Sequence, residues 1–210
     1  MLSIDQYSTV ISNETVLIPS GVSAIFSPEG IIMHKLYRDG VYIEALQDAL
    51  RRLPAWLDDG SGWRSLYVGY EKPHVERLWR QIDNDHRIML HRIHPCDALD
   101  VLFHPHPWPS AVLVLGEYEM TVGFGAGMIR PPSAMTTRLA PGSFYEMTHP
   151  DGWHGVRPLE VPSLSVMLIG RPWERTGFGK EHSHRELTYA EGAALLGDFR
   201  AVDMSTYLDP

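Results

Sequence analysis

From Val41 to Leu53 the apolar residues Ile43, Leu46, Leu50 and Leu53 recur at spacings of three and four, and Pro54 follows. That period predicts an amphipathic helix over 41–53 that ends at the proline. Pro73 suits a first helical turn, and Val75, Leu78, Trp79 and Ile82 would then line one side, so a second helix is predicted over 73–82. Between them Asp58-Asp59-Gly60-Ser61-Gly62 reads as a loop. Residues 1–35 hold short apolar runs such as Thr15-Val16-Leu17-Ile18, broken by Pro19 and Gly21, and predict one or two strands.

Beyond Asp85 the helical period is gone. Segments 87–93, 98–103, 111–115, 117–124, 135–139, 143–148 and 163–169 are short, rich in β-branched or aromatic residues, and bounded by Pro or Gly. In 117–124, Tyr118, Met120, Val122 and Phe124 alternate with Glu117, Glu119, Thr121 and Gly123, the signature of a half-buried antiparallel strand. Gly116 sits between two such patterns and predicts a tight hairpin turn. Near the end, Thr188-Tyr189-Ala190-Glu191 forms a capping box ahead of Ala193, Leu195, Leu196 and Phe199, so a closing helix starts there. The pattern divides the chain into an N-terminal strand and helix region (1–84), a β-rich region (85–170) and a C-terminal loop and helix (171–210), expected to pack as one unit. Many short strands at near-regular spacing imply a β-sandwich or barrel.

Composition narrows the function classes. The 210 residues are 44% hydrophobic, enough for a real core, and the net charge of −8 argues against a nucleic-acid partner. No apolar run reaches the roughly 18 residues of a membrane span, and Asp5 and Glu14 interrupt what a signal peptide would need, so a cytoplasmic location is expected. The Asn13-Glu14-Thr15 triplet matches a glycosylation acceptor but carries no weight without export. The single cysteine, Cys96, forms no intrachain disulfide, fits a reducing compartment and reads as an inert buried thiol.

The 11 histidines prompt a search for a metal site. In Phe103-His104-Pro105-His106-Pro107-Trp108, a strand would project His104 and His106 from one face. Imidazole suits iron, zinc, copper and nickel, although prolines on both sides also fit an irregular surface loop. Downstream, the Pro150-Asp151-Gly152 turn hands directly to Trp153-His154, which places a histidine at the mouth of a new strand. His149, on the other side of that turn, competes with His154 as a third ligand. His34, His74, His86, His91, His94, His182 and His184 read as solvent-facing or structural, the last two despite their His-x-His spacing.

With both segments in view the chain resembles the cupin superfamily. His104, His106 and Gly116 match the first cupin motif; Pro150, Gly152 and His154 match the second; the resemblance covers about residues 85–170. It implies a mainly β fold, a jelly-roll barrel of cupin type flanked here by N-terminal helices and a C-terminal helix. Many metal cupins place a glutamate shortly after the second histidine, whereas here no acid follows His106 before Glu117. The ligand set implied is therefore His104, His106 and His154, as in thiol-dioxygenase-like cupins, holding a divalent transition metal: iron(II), with zinc, nickel or manganese as alternatives. Tyr118 and Tyr145 are candidate catalytic donors to a metal-bound oxygen; Trp108 and Trp153 adjoin proposed ligands; Arg92 and Arg157 are the cations considered for an anionic substrate.

The function expected is an iron-dependent oxygenase or dioxygenase acting on a small molecule. The alternatives are a non-catalytic ligand-binding cupin, or a metal-dependent isomerase, lyase or hydrolase on the same barrel. A 2-oxoglutarate oxygenase fits less well, because His106 stands where the facial triad has an acid. A homodimer is the partner expected by analogy with cupins.

Overall fold

The computed structural model describes residues 15–18, 22–25, 41–69, 72–127, 129–173 and 184–208. The chain enters as strands β1 (Thr15–Ile18) and β2 (Val22–Ile25), then helix α1 (Val41–Asp59). Strands β3 (Arg64–Val68), β4 (Val75–Gln81), β5 (Arg87–Ile93), β6 (His104–Pro105), β7 (Ser110–Val114) and β8 (Tyr118–Phe124) follow. The remaining elements are β9 (Ser133–Leu139), β10 (Phe144–Met147), β11 (Gly152–Arg157), β12 (Ser163–Ile169) and helix α2 (Tyr189–Arg200). The expected class, mainly β with a helix before and after, is what the structure has.

Two antiparallel sheets form: an eight-stranded one in the order β1-β2-β10-β7-β12-β5-β4-β3 and a four-stranded one in the order β6-β11-β8-β9. The segment before residue 85 supplies both ends of the larger sheet, β1–β2 and β3–β4. Two apolar layers hold the molecule together. Leu46, Leu50 and Leu53 of α1, with Leu195 and Phe199 of α2, pack on Leu78, Leu90 and Leu113, the outer face of the larger sheet. Met89, Val112, Val114, Tyr118, Met120 and Val122 fill the space between the sheets. No described helix is long and apolar enough to cross a membrane.

Several sequence expectations change. The 73–82 segment is strand β4 rather than a helix. Leu78 faces the helices while Val75 and Trp79 face the other sheet, so both faces are covered and strict alternation is lost. Helix α1 runs through Pro54 to Asp59, because the proline lies on the exposed side and Leu57, one turn beyond Leu53, is buried. Segment 98–103 is not a strand; Ala98–Asp100 is a 3-10 turn, tied by Lys72 Nζ to Asp100 at 2.8 Å. Gly116 is no hairpin turn, since β7 pairs with β10 and β12, β8 with β9 and β11, and the link crosses between sheets. A Cβ there would meet the Ser163 backbone at 3.0 Å, which explains the glycine. The α2 cap is as expected: Thr188 and Glu191 bond reciprocally.

Candidate metal centre

His104 and His154 are brought face to face by backbone pairing, as direct partners in the β6–β11 register. Strand β6 is the edge of its sheet, where Pro105 and Pro107 cost no ladder bond to a further strand. The ladder continues past Pro105 through His106 N–H to the Gly152 carbonyl at 3.3 Å. The ring centroids of His104 and His154 lie 4.9 Å apart, those of His106 and His154 5.1 Å, and those of His104 and His106 6.4 Å.

Three imidazoles on one ion, with metal–nitrogen bonds of about 2.1 Å, would set their centroids about 4.5–5.3 Å apart. Two of the three separations match. The third is wider, and among the described residues no group of three or more His, Cys, Asp or Glu side chains stands close enough together to hold a metal ion as placed. Closing it would shorten the His104–His106 separation by about 1 Å.

The donor chemistry fits a cation. His106 is 4% exposed, and burial drives its pKa down to about 3, with His104 and Arg77 adding to the effect and the Trp108 carbonyl opposing it. Burial also holds His154 well below the ordinary histidine range, helped by His104, His106 and His91. These rings are neutral at pH 7 and each offers a lone pair. For His106 the tautomer follows from geometry: Nδ1 donates to the Trp108 carbonyl at 2.6 Å, which leaves Nε2 unprotonated. His154 Nδ1 is buried with no hydrogen-bond partner among the described residues. An orphaned buried nitrogen is costly, and a bound ion in this cluster is one way to relieve it.

Other candidates lie elsewhere. His149 packs on Phe124, ring centroids 5.0 Å apart, and its Nδ1 accepts from the Asp151 N–H, so it serves the turn. Tyr118 donates to Tyr145 at 3.0 Å, both deep between the sheets. Tyr118 is four residues along β8 from Val122, the partner of His154, a run of about 13 Å. Burial pushes Tyr145 up to about 12 and raises Tyr118 well above the ordinary tyrosine range, so both are neutral hydroxyls. Trp108 stacks edge-on to His106 at 5.8 Å, as a wall of the cluster. Trp153 alternates to the opposite face from His154, packing on Phe103 and donating to the Gly125 carbonyl. Arg92 is held by Glu76 and Asp198, and Arg157 by Glu119, so neither cation serves the cluster. Cys96 is half-buried rather than fully buried as expected, and that partial burial raises its thiol.

His74 contacts Tyr67, His86 bonds Asp83, His94 pairs with Glu76 and His184 is exposed, while His34 and His182 fall outside the described residues. His91 breaks that pattern. It is 3% exposed, points between the sheets, and accepts at Nε2 from Arg77 Nε at 2.9 Å. Its pattern neighbours Met89 and Ile93, both apolar at i±2, were the signal that it faces inward. Arg77 was hidden by the helical reading of 73–82.

No family model matches the chain, and no curated protein matches it. Solved structures do. The oxalate decarboxylase of Bacillus subtilis, described with Mn(II) centres, is 14% identical at a TM-score of 0.40, over 59% of this chain and 30% of that one. KdgF from Halomonas sp. is 18% identical at 0.36, over 50% and 85%. Streptomyces albus HEPD, with 2-hydroxyethylphosphonate and Fe(II) bound, is 15% identical at 0.34, over 48% and 22%. The chain thus spans under a third of the decarboxylase's length. Likenesses this distant concern the general arrangement of strands and carry nothing about the chemistry of the site.

Proposed function

We propose that the chain is a metal-binding cupin in which His104, His106 and His154 hold one divalent transition metal, iron(II), and that it is an oxygenase or dioxygenase acting on a small molecule. The observation that carries this reading is the meeting of His154 with His104 and His106, about fifty residues earlier in the chain, at 4.9 and 5.1 Å. The ion would supply Lewis-acid and redox chemistry at positions the three imidazoles leave open. The chain's own part is to hold the rings neutral by burial, to fix the His106 tautomer through the Trp108 carbonyl, and to keep water scarce around buried His106 and His154.

The test is metal analysis by plasma emission on untagged protein from iron-supplemented cells, followed by oxygen-electrode assays against small-molecule libraries. About one equivalent of metal in the wild type, and under about a tenth in His104→Ala/His106→Ala, is expected. A wild type holding less than about a tenth of an equivalent of any transition metal overturns the reading. Full metal with no oxygen uptake on any turned-over substrate moves the protein to the isomerase or lyase class.

A further inference from the structure

Across β4, β5 and β12 the backbone register sets Arg77, His91 and Ser165 side by side. Their i±2 neighbours Val75, Trp79, Met89, Ile93 and Met167 belong to the apolar layer between the sheets, so alternation turns this row toward the smaller sheet. His91 and Ser165 are 3% and 1% exposed. The histidine-bearing segment passes over the same strands. Leu102 N–H donates to the Lys72 carbonyl ahead of β4, and His106 meets Ser110 Oγ at the start of β7, so the chain between these anchors reaches across β5 and β12.

His91 is a donor only. Arg77 Nε carries a hydrogen and cannot accept, so its 2.9 Å bond to His91 Nε2 uses the ring's one lone pair and puts the ring proton on Nδ1. Burial first, then the charge of Arg77, keeps the ring from taking a second proton. Among the described residues the Nδ1–H meets no acceptor. Two residues from Ser165 on β12, the buried Ser163 Oγ also has no hydrogen bond among the described residues. Buried polar groups are rarely left so in native folds. A metal ion does not answer this row, because His91 has no lone pair left to give.

We propose that the Nδ1–H of His91 and the hydroxyl of Ser165 bind one carbonyl oxygen of a small, otherwise apolar molecule held between the sheets. An oxygen with two lone pairs accepts from both donors at once, and Met89, Ile93 and Met167 beside them suit an apolar body. Half-buried Val75 and Trp79 leave the row approachable from the side of β4. That this molecule is the substrate rests on the metal-centre reading; that it binds here does not.

The experiment is a nuclear magnetic resonance titration of protein whose histidines carry heavy nitrogen, both metal-free and zinc-loaded. The probes are acetophenone and cyclohexanone, each against the hydrocarbon that replaces C=O by C=CH2 (α-methylstyrene and methylenecyclohexane), with benzoate as the charged comparison. At least one ketone binds about fivefold or more tighter than its hydrocarbon and shifts the His91 Nδ1 proton, which the hydrocarbon leaves in place. His91→Leu removes that preference and Ser165→Ala reduces it. His91→Gln, whose amide can accept from Arg77 and donate to the ligand, keeps part of it. Arg80→Gln, on the opposite face of β4, leaves it intact. Ketones and hydrocarbons that bind alike or not at all, a preference unmoved in both His91→Leu and Ser165→Ala, benzoate binding tighter than acetophenone, or a His91 proton found on Nε2 overturn the proposal. If His91→Leu fails to fold, His91→Gln and Ser165→Ala decide. Zinc that does not bind counts against the metal centre alone, since the metal-free titration still decides this site.

Discussion

Gly155 follows His154 in β11, and a Cβ there would stand 2.9 Å from both the Leu102 carbonyl and Val101 Cγ1. The missing side chain is what lets residues 101–103 press on β11 and bring His104 opposite its partner. Gly155→Ala should therefore lower stability by about 1–3 kcal/mol, read as a shift in urea midpoint, and weaken metal binding with it. The buried histidines set a second residue-scale expectation. His91, His106 and His154 have folded pKa values below the ordinary 6.5, so folding excludes protons that the unfolded chain takes up. Their contribution is complete above about pH 6.5 and is lost as pH falls below it, for His106 toward about 3, with a slope of up to about 1.4 kcal/mol per pH unit for each. Metal-free protein should show a lower urea midpoint at pH 5 than at pH 7, and His91→Gln should flatten that dependence. The carboxylates enter chiefly below about pH 4.5, so this window belongs to the histidines. A midpoint that is level or rises on acidification contradicts their buried, neutral placement.

At the scale of elements, α2 is fixed by its cap. Thr188 Oγ1 accepts from Glu191 N–H, and the Glu191 carboxylate accepts from Thr188 N–H at 2.7 Å. Thr188→Ala should cost about 1 kcal/mol of stability in denaturant titration and leave the metal content unchanged. Helix α1 is anchored from a distance: the buried Glu146 carboxylate of β10 accepts from Ile43 N–H at 2.5 Å in its first turn. The cap of α2 was legible because four adjacent residues make it; Glu146 was not, because 103 residues separate it from Ile43. Strands 87–93 and 163–169 read correctly from short apolar runs between turn residues. Strand β4 misread because leucine, valine and tryptophan occupy both its faces, and the apparent helical period followed from that double burial. The same error hid Arg77, since a helix would have set its direction wrongly. Of the site, the two histidine segments were visible as spacing, whereas the third buried imidazole, His91, depends on sheet pairing that local sequence does not encode.

The whole molecule is three layers: helices, the larger sheet, and the smaller sheet, with the histidine cluster at the strands of the smaller sheet and its neighbours facing it. The helix layer is remote from the chemistry. Leu50→Ala, in the fully buried row of α1, should destabilise by about 2–5 kcal/mol and leave the metal affinity of the folded protein unchanged. That separation makes the ligand set testable residue by residue. The most direct measurement is a competitive cobalt titration of His104→Ala, His106→Ala, His154→Ala and His149→Ala against the wild type. The account expects each of the first three to lose about a hundredfold or more in affinity and His149→Ala to stay within about threefold. Equal affinity in all five proteins, or a loss at His149 that His154 does not share, contradicts it.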